Sequence, residues 1–210
     1  MRRSILLMIV AGLMFASACS DPAADKSKAV TGEATQASSP AASAQGQKYL
    51  ITPQNSKIEF VGSKVTGSHN GSFGDFSGEV AYAGSPEQSH VNIKIKSESL
   101  TTDTPDLTKH LKTADFFDVA KFPEATFVST SIKPGGEKGA SHTVTGNLTL
   151  HGVTKAVMFP ATISVTGDIA SVDSTFSINR KDFGINYAGQ ADNLIRDDVV
   201  LKLTIRASKS

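Results

Sequence analysis

Few residues of this 210-residue chain could build a metal site or a nucleophile: histidines at 69, 90, 110, 142 and 151, and one cysteine, Cys19. A tetrahedral zinc site wants His or Cys at short, repeated spacings, and these intervals fit no such pattern. His142 and His151 could end one straight strand about 30 Å apart. His69, set among Ser68, Asn70 and Gly71, reads as a loop residue. Arg180, Lys181 and Asp182 in "NRKDFG" read as a charged turn with a structural salt bridge. There is no G-x-S-x-G elbow, no H-E-x-x-H, no P-loop and no dinucleotide fingerprint. With one cysteine an intramolecular disulfide is impossible, and Cys19 lies ahead of the folded domain. A non-enzyme without metal or cofactor is expected.

The chemistry that does stand out is apolar. In "HLKTADFFDVAKFPEATF" (110–127), Phe116, Phe117, Phe122 and Phe127 are four of the eleven phenylalanines. Asp115, Asp118, Lys121 and Glu124 are set among them, and neither a 3.6 nor a 2.0 period is kept. Just ahead, "TDTPDLTKHLK" predicts a short helix with Thr104 as N-cap, Pro105 at the first position and Asp106 in the first turn. Leu107 and Leu111 would face inward. His110, on the same helix, is either a surface residue or a polar contact to a ligand head group.

The elements that hold this segment are strands. "VVLKLTIRA" alternates Val199, Leu201, Leu203 and Ile205 against polar neighbours, and "HVNIKIKSESL" does so with Val91, Ile93 and Ile95. "TVTGNLTLHG" puts Val144, Gly146, Leu148 and Leu150 on one face; "ASVDSTFSINR" puts Ala170, Val172, Phe176 and Ile178 there. With "SKIEFVGSKV", "GSFGDFSGEVAYAG", "ATFVSTSIK" and "KAVMFPATISVTG", about eight strands are joined by Gly- and Pro-rich turns. The fold class is all-β, an antiparallel sandwich or barrel. Eight strands closed into a barrel leave room for side chains or one small ligand. Small residues on the apolar faces, such as Gly62, Gly78, Gly146, Ala161 and Ala170, favour an open middle.

The N-terminus has another purpose. Arg2 and Arg3, the run "ILLMIVAGLMFA" and small residues up to Ala18 form a secretory signal over 1–18. About 12 apolar residues are too short to span a bilayer comfortably. "ASAC" resembles the lipobox of bacterial lipoproteins, with Ala16 where leucine is usual. That resemblance implies acylation of Cys19 and, with Ser20 following it, anchoring to the outer membrane from the periplasmic side. Ordinary cleavage near Ala18 is the alternative. Residues 19–47 contain almost no aromatic or branched aliphatic surface and are expected to be a disordered tether, with a root-mean-square span of roughly 30 Å. The folded domain is then 48–210. Without Arg2 and Arg3, the 21 basic residues fall to 19 against 20 acidic ones. No basic patch is visible, so nucleic acid is not a partner. A homodimer stays open.

Two long stretches, "TADFFDVAKFPEATFVSTSI" and "VTGNLTLHGVTKAVMFPATI", strongly resemble the YceI-like family of bacterial polyisoprenoid-binding proteins. "YLITPQNSKIEFVGSKVTGSHNGSFGDFSGEV", "SINRKDFGINY" and "DDVVLKLTIRA" follow in the family's order, and the resemblance spans 48–207. It implies a lipocalin-like β-barrel covered at one end by a short helix and loop, with a long lipid chain inside. Phe116, Phe117, Phe122, Phe127, Leu107, Leu111 and His110 would then line or plug one mouth as the ligand-binding residues. The implied function is binding, storage or transport of an isoprenoid-type amphiphile, such as a quinone or polyprenyl phosphate, that would co-purify with the protein. Burial of about ten CH₂ groups at ~0.8 kcal/mol each would already give micromolar binding. The alternative is a stress-related envelope accessory protein whose cavity transfers no lipid.

Overall fold

The apolar–polar alternation of the sequence is realised as a curved sheet wrapped onto itself. The computed structural model describes residues 21–35 and 46–210. Its strands run β1 (Ser27–Lys28), β2 (Val30–Glu33), β3 (Gln47–Ile51), β4 (Lys57–Lys64), β5 (Gly67–Phe73) and β6 (Phe76–Tyr82). Then come β7 (His90–Lys96), β8 (Leu100–Thr102), the helix α1 (Pro105–Leu111), β9 (Glu124–Pro134) and β10 (His142–Leu150). The chain ends with β11 (Val153–Thr166), β12 (Ile169–Asn179), the small pair β13 (Gly189–Gln190) and β14 (Asn193–Leu194), and β15 (Asp198–Lys209).

Eight strands close the barrel in the order β12, β11, β10, β9, β7, β6, β3, β15, and β15 returns to β12 over eleven residue pairs. Every pairing round this ring is antiparallel. A tight hairpin joins β10 to β11. The β10–β11 turn puts His151 (φ 50°) and Gly152 (φ 74°) in the left-handed region, the backbone hand that matches the strand twist in a two-residue loop. β3 meets β15 only near its C-terminal end; β4 takes its place along 200–204 and carries β5 and β8 with it. At that end the wall is completed by α1 and the crossing 112–123. Phe60, Leu100, Leu111, Phe116 and Ile185 pack there as one cluster.

The all-β barrel of about eight strands with a helix and loop over one end thus forms, with three departures from expectation. First, part of the expected tether 19–47 is ordered. β11 and β12 pair with each other only over 162–166 and 169–173, and beyond that they diverge. Residues 27–33 fill the seam: β1 runs parallel to β12, β2 antiparallel to β11, and the Ala29 amide donates to Ser177 O at 2.8 Å. Composition misjudges such a segment because ladder hydrogen bonds, rather than apolar area, hold it. Only Ser27 and Ala29 are buried. Cys19, the signal 1–18 and the tether residues 36–45 lie outside the described residues. Second, His69 is not in a loop but on β5, opposite Gly62. Third, Thr104 precedes α1 with extended backbone but makes no side-chain cap bond; its hydroxyl turns to Asp103 instead.

Candidate functional site

The inward faces of the strands enclose a cavity of about 600 Å³. Its walls are the columns expected from alternation: Val91, Ile93 and Ile95 from β7, Val144, Leu148 and Leu150 from β10, Val199, Leu201, Leu203 and Ile205 from β15. β12 contributes Val172, Phe176 and Ile178. The space exists partly because inward positions are small, though not each as expected. Gly62 faces open room, whereas Gly146 is filled by a neighbour: a Cβ there would lie 2.4 Å from the ring of Phe127.

Polar lining residues are confined to one end. Ser63, Lys64, His69, His110, Arg180, Tyr187, Gln190 and Asn193 all line the cavity, and all belong to elements at the β4–β5 hairpin end of the barrel. Deep inside, around Ile51, Val80 and Ile205, the lining is apolar. The cavity is therefore amphiphilic along its axis, with a wet mouth and a dry interior.

Two lids frame that mouth. One is α1 with the crossing behind it. Leu107, His110, Leu111, Phe116 and Phe117 all face the cavity, and Phe127 lines it from β9. Phe116 is 5% exposed and part of the core. Phe117 is half-buried and edges onto Phe73 at 6.0 Å between centroids. Of the seven residues singled out from the sequence, Phe122 is the exception. It lies outside the cavity, packed on His151 at 4.6 Å and against Gly152, with Lys121 over its ring. The φ > 0 turn at Gly152 leaves no room for both a Cβ and that ring, which is why Phe122 braces the β10–β11 turn from outside.

The second lid, residues 184–197, was not foreseen as a site. It bears Ile185, Tyr187, Gln190, Asn193 and Ile195 over the mouth. Arg180 holds it. This guanidinium, almost fully enclosed, donates from Nη1 to Ile185 O (2.7 Å), from Nε to Arg196 O (3.2 Å), and from Nη2 to Ile195 O (3.4 Å) and Asp197 Oδ1 (3.2 Å). Burial pushes its pKa below the ordinary value, and Asp197 opposes that shift. The charged turn read from "NRKDFG" is therefore real: Lys181 also reaches Asp197, at 2.9 Å. What the reading lacked was the inward course of Arg180. An arginine followed by Gly184 and a short polar hairpin was the available signal.

The lids meet through rings. His110 lies 5.0 Å from Phe116 and 5.2 Å from Tyr187, and Phe116 and Tyr187 are themselves 5.2 Å apart. His110 Nε2 also contacts Asp115 Oδ2 at 2.8 Å. Across the mouth, His69 Nδ1 contacts Asp103 Oδ1 at 2.8 Å. The Asn70 amide, and secondarily His69, hold the Asp103 carboxyl below the usual carboxylate range. The other histidines lie apart from the site: His142 is paired with Glu87 at 3.2 Å and His151 contacts Phe183 O. Among the described residues no group of three or more His, Cys, Asp or Glu could hold a metal ion.

This barrel has relatives of the same construction. The model of the YceI-like domain matches residues 49–207. The chain belongs to the YceI-like family. A UPF0312 protein of Pseudomonas syringae pv. tomato is 40% identical over 140 residues, covering 63% of this chain and 72% of that protein. Another, from Pseudomonas fluorescens, is 39% identical over the same length and shares. Among solved structures, BcnA of Burkholderia cenocepacia superposes with a TM-score of 0.63 at 25% identity, over 75% of this chain and 99% of BcnA. A polyisoprenoid-binding domain from Saccharophagus degradans superposes at 0.62 with 17% identity, over 79% and 100% of the two chains. At that identity the second likeness speaks for the YceI-like fold alone.

Proposed function

We propose that this protein binds a long-chain isoprenoid-type amphiphile, a quinone, polyprenyl phosphate or similar lipid, and stores or carries it in the bacterial cell envelope without chemical change. The observation that carries the reading is the cavity's polarity: a dry apolar interior with every polar lining residue at one mouth suits a chain inside and a head group at the rim. The name of the S. degradans domain points the same way. At roughly 30 Å³ per heavy atom, the share of a water molecule in the liquid, 600 Å³ takes about 20 carbons, or four isoprene units. Burying them is worth about 16 kcal/mol at ~0.8 kcal/mol each, against about 4–15 kcal/mol for association and ordering. The surplus of about 1–12 kcal/mol reaches micromolar affinity, about 8 kcal/mol, only in its upper part, and because it grows with every buried CH₂, chain length should matter more than head group.

The same reading places the protein outside the cytoplasm, tethered through an acylated Cys19, with the outer membrane as the anchor. Labelling with a clickable fatty acid should mark the wild type and miss Cys19→Ser; equal labelling of both would remove the anchor. The binding itself is tested by organic extraction and mass spectrometry of the purified protein. Phe117→Asp, at a half-buried lid position where a carboxylate can reach water, should lower lipid per mole while leaving the urea midpoint near wild type. Phe116→Asp buries its charge and should lower both. A wild type that never carries lipid defeats the reading.

A further inference from the structure

We propose that the protein docks on a lipid bilayer mouth first, through Val65 and Leu194, exposed aliphatic residues of the two hairpins beside the cavity entrance. This rests on the binding reading above and adds the surface by which cargo would be exchanged. Val65 is 48% and Leu194 49% exposed, and the Val65 amide donates to Leu194 O at 3.2 Å. Val65 belongs to the β4–β5 turn, and Leu194 to β14 in the second lid. Ala188 and Ala191 of that lid are exposed beside them. Neither Val65 nor Leu194 lines the cavity, so neither has an inward task.

Exposed aliphatics alone would be unremarkable, and two other pairs exist: Val30 with Met158 on the barrel wall, Leu50 with Ile169 at the opposite end. What singles out the mouth is where the chain ahead of the described domain attaches. Asp21, the first described residue, accepts from Arg196 Nη1 at 3.2 Å. The Arg196 amide in turn donates to Ser63 O at 2.9 Å, and Ser63 lines the mouth. Two residues reach at most about 7 Å, so on the Cys19-anchor reading above, the point from which the chain leaves Asp21 for the membrane lies beside the entrance. That departure point and the two exposed aliphatic residues thus share one end with the polar lining residues found among the described ones. Lys64 at that rim and Asp192 at the β13–β14 turn have no ion-pair partner among the described residues, so their charges offset and the docking rests on the aliphatic pair.

The chain has no tryptophan, which makes single-tryptophan reporters clean. Full-length Val65→Trp, Leu194→Trp and Ile169→Trp variants would be placed on phosphatidylethanolamine–phosphatidylglycerol vesicles with and without brominated acyl chains. Ile169 is 40% exposed and about 33 Å along β12 from the mouth, at ~3.3 Å per residue. Mouth-first docking requires at least twofold quenching of the Val65→Trp and Leu194→Trp variants with Ile169→Trp unaffected. Quenching of Ile169→Trp as strong as at the mouth, or of none, overturns it. A second arm follows uptake of a fluorescent polyprenyl lipid from vesicles: Val65→Ser/Leu194→Ser should load at least fivefold more slowly to the wild-type endpoint. Equal rates overturn the docking. A wild type that takes up no lipid refutes the binding reading alone, and docking is then decided by quenching, which needs no cargo.

Discussion

Arg180→Met should free the second lid without dismantling the barrel. In the wild type, one guanidinium holds the carbonyls of Ile185, Ile195 and Arg196, which bracket the lid at both ends. Methionine fills comparable volume but donates nothing. Each hydrogen bond to a charged donor contributes about 1.5–3 kcal/mol, so three lost partners would cost about 5–9 kcal/mol in a lid that stayed shut. Two effects reduce that sum. The desolvation that pushes the Arg180 pKa down is relieved when the charge is removed, and replacing buried ions by apolar groups is often nearly neutral. Asp197 keeps Lys181 as partner, so no lone carboxylate is left behind. A net shift of about 2–4 kcal/mol toward the open lid remains, a factor of roughly 30 to 1,000. Opening is the cheap response, because water then reaches the carbonyls. Amide hydrogen exchange reads this directly. The Ile195 amide, bonded to Ala188 O, and the Arg196 amide, bonded to Ser63 O, should exchange faster by that factor, while amides of the β12–β15 ladder keep wild-type rates. Unchanged exchange at 195 and 196 would show that Arg180 does not hold the lid. Equal acceleration throughout the ladder would make it a core residue instead.

Three further outcomes follow from local geometry. Gly146→Ala would set a Cβ 2.4 Å from the Phe127 ring and 2.6 Å from Val128 O; overpacking should cost about 1–3 kcal/mol, read as a lower urea midpoint, and push Phe127 into the cavity, read as less lipid per mole. Ala29→Asp would put a carboxylate into the cluster of Val157, Phe159 and Phe176, so residues 21–35 should become protease-sensitive and the protein should bind an apolar dye at the opened β11–β12 seam. Asp103 has its folded pKa depressed, so its contribution is present above its unfolded value of about 3.9 and is lost as pH falls through the lower folded value. Asp103→Ala should therefore melt below wild type at neutral pH, and the two melting curves should converge only below about pH 4.

The wall of the barrel was legible because its signal is repeated. Four strands announced their inward columns by period 2, and Val199 to Ile205 or Val144 to Leu150 stand where alternation put them. The first lid was legible for a different reason: the clustering of phenylalanines and charges broke both periods, and that break marked a segment that is neither helix nor strand. Six of its seven proposed residues reach the cavity. Phe122 does not, because its place is fixed by a contact to Gly152 that lies thirty positions away and has no local signature. The second lid stayed hidden since its polar residues, Gln190 and Asn193, look like any surface turn until Arg180 is seen to turn inward. The seam strands β1 and β2 were illegible by composition for a physical reason: the partners they complete, Ser177 of β12 and 155–158 of β11, are more than a hundred residues downstream.

The construction of the two lids differs in a way that bears on exchange. The first is joined to the barrel by apolar packing of Leu111 and Phe116 among Phe60 and Leu100, so opening it exposes surface to water at about 25 cal/mol per Å². The second joins the same cluster through Ile185, with Tyr187 and Ile195 against it, and is tied down further by the Arg180 hydrogen bonds and backbone contacts to β4, bonds that water can replace. Opening only 187–196, with Ile185 left in the core, parts the ring contacts of Tyr187 to His110 and Phe116 and exposes less apolar surface than lifting Leu111 and Phe116 would. A chain leaving the cavity by that route would pass Tyr187, Gln190 and Asn193 and emerge beside Leu194. That is the side on which Asp21 ties the N-terminal segment to Arg196. The ion pair links Asp21 to the lid itself, next to the Ile195 and Arg196 carbonyls that Arg180 holds.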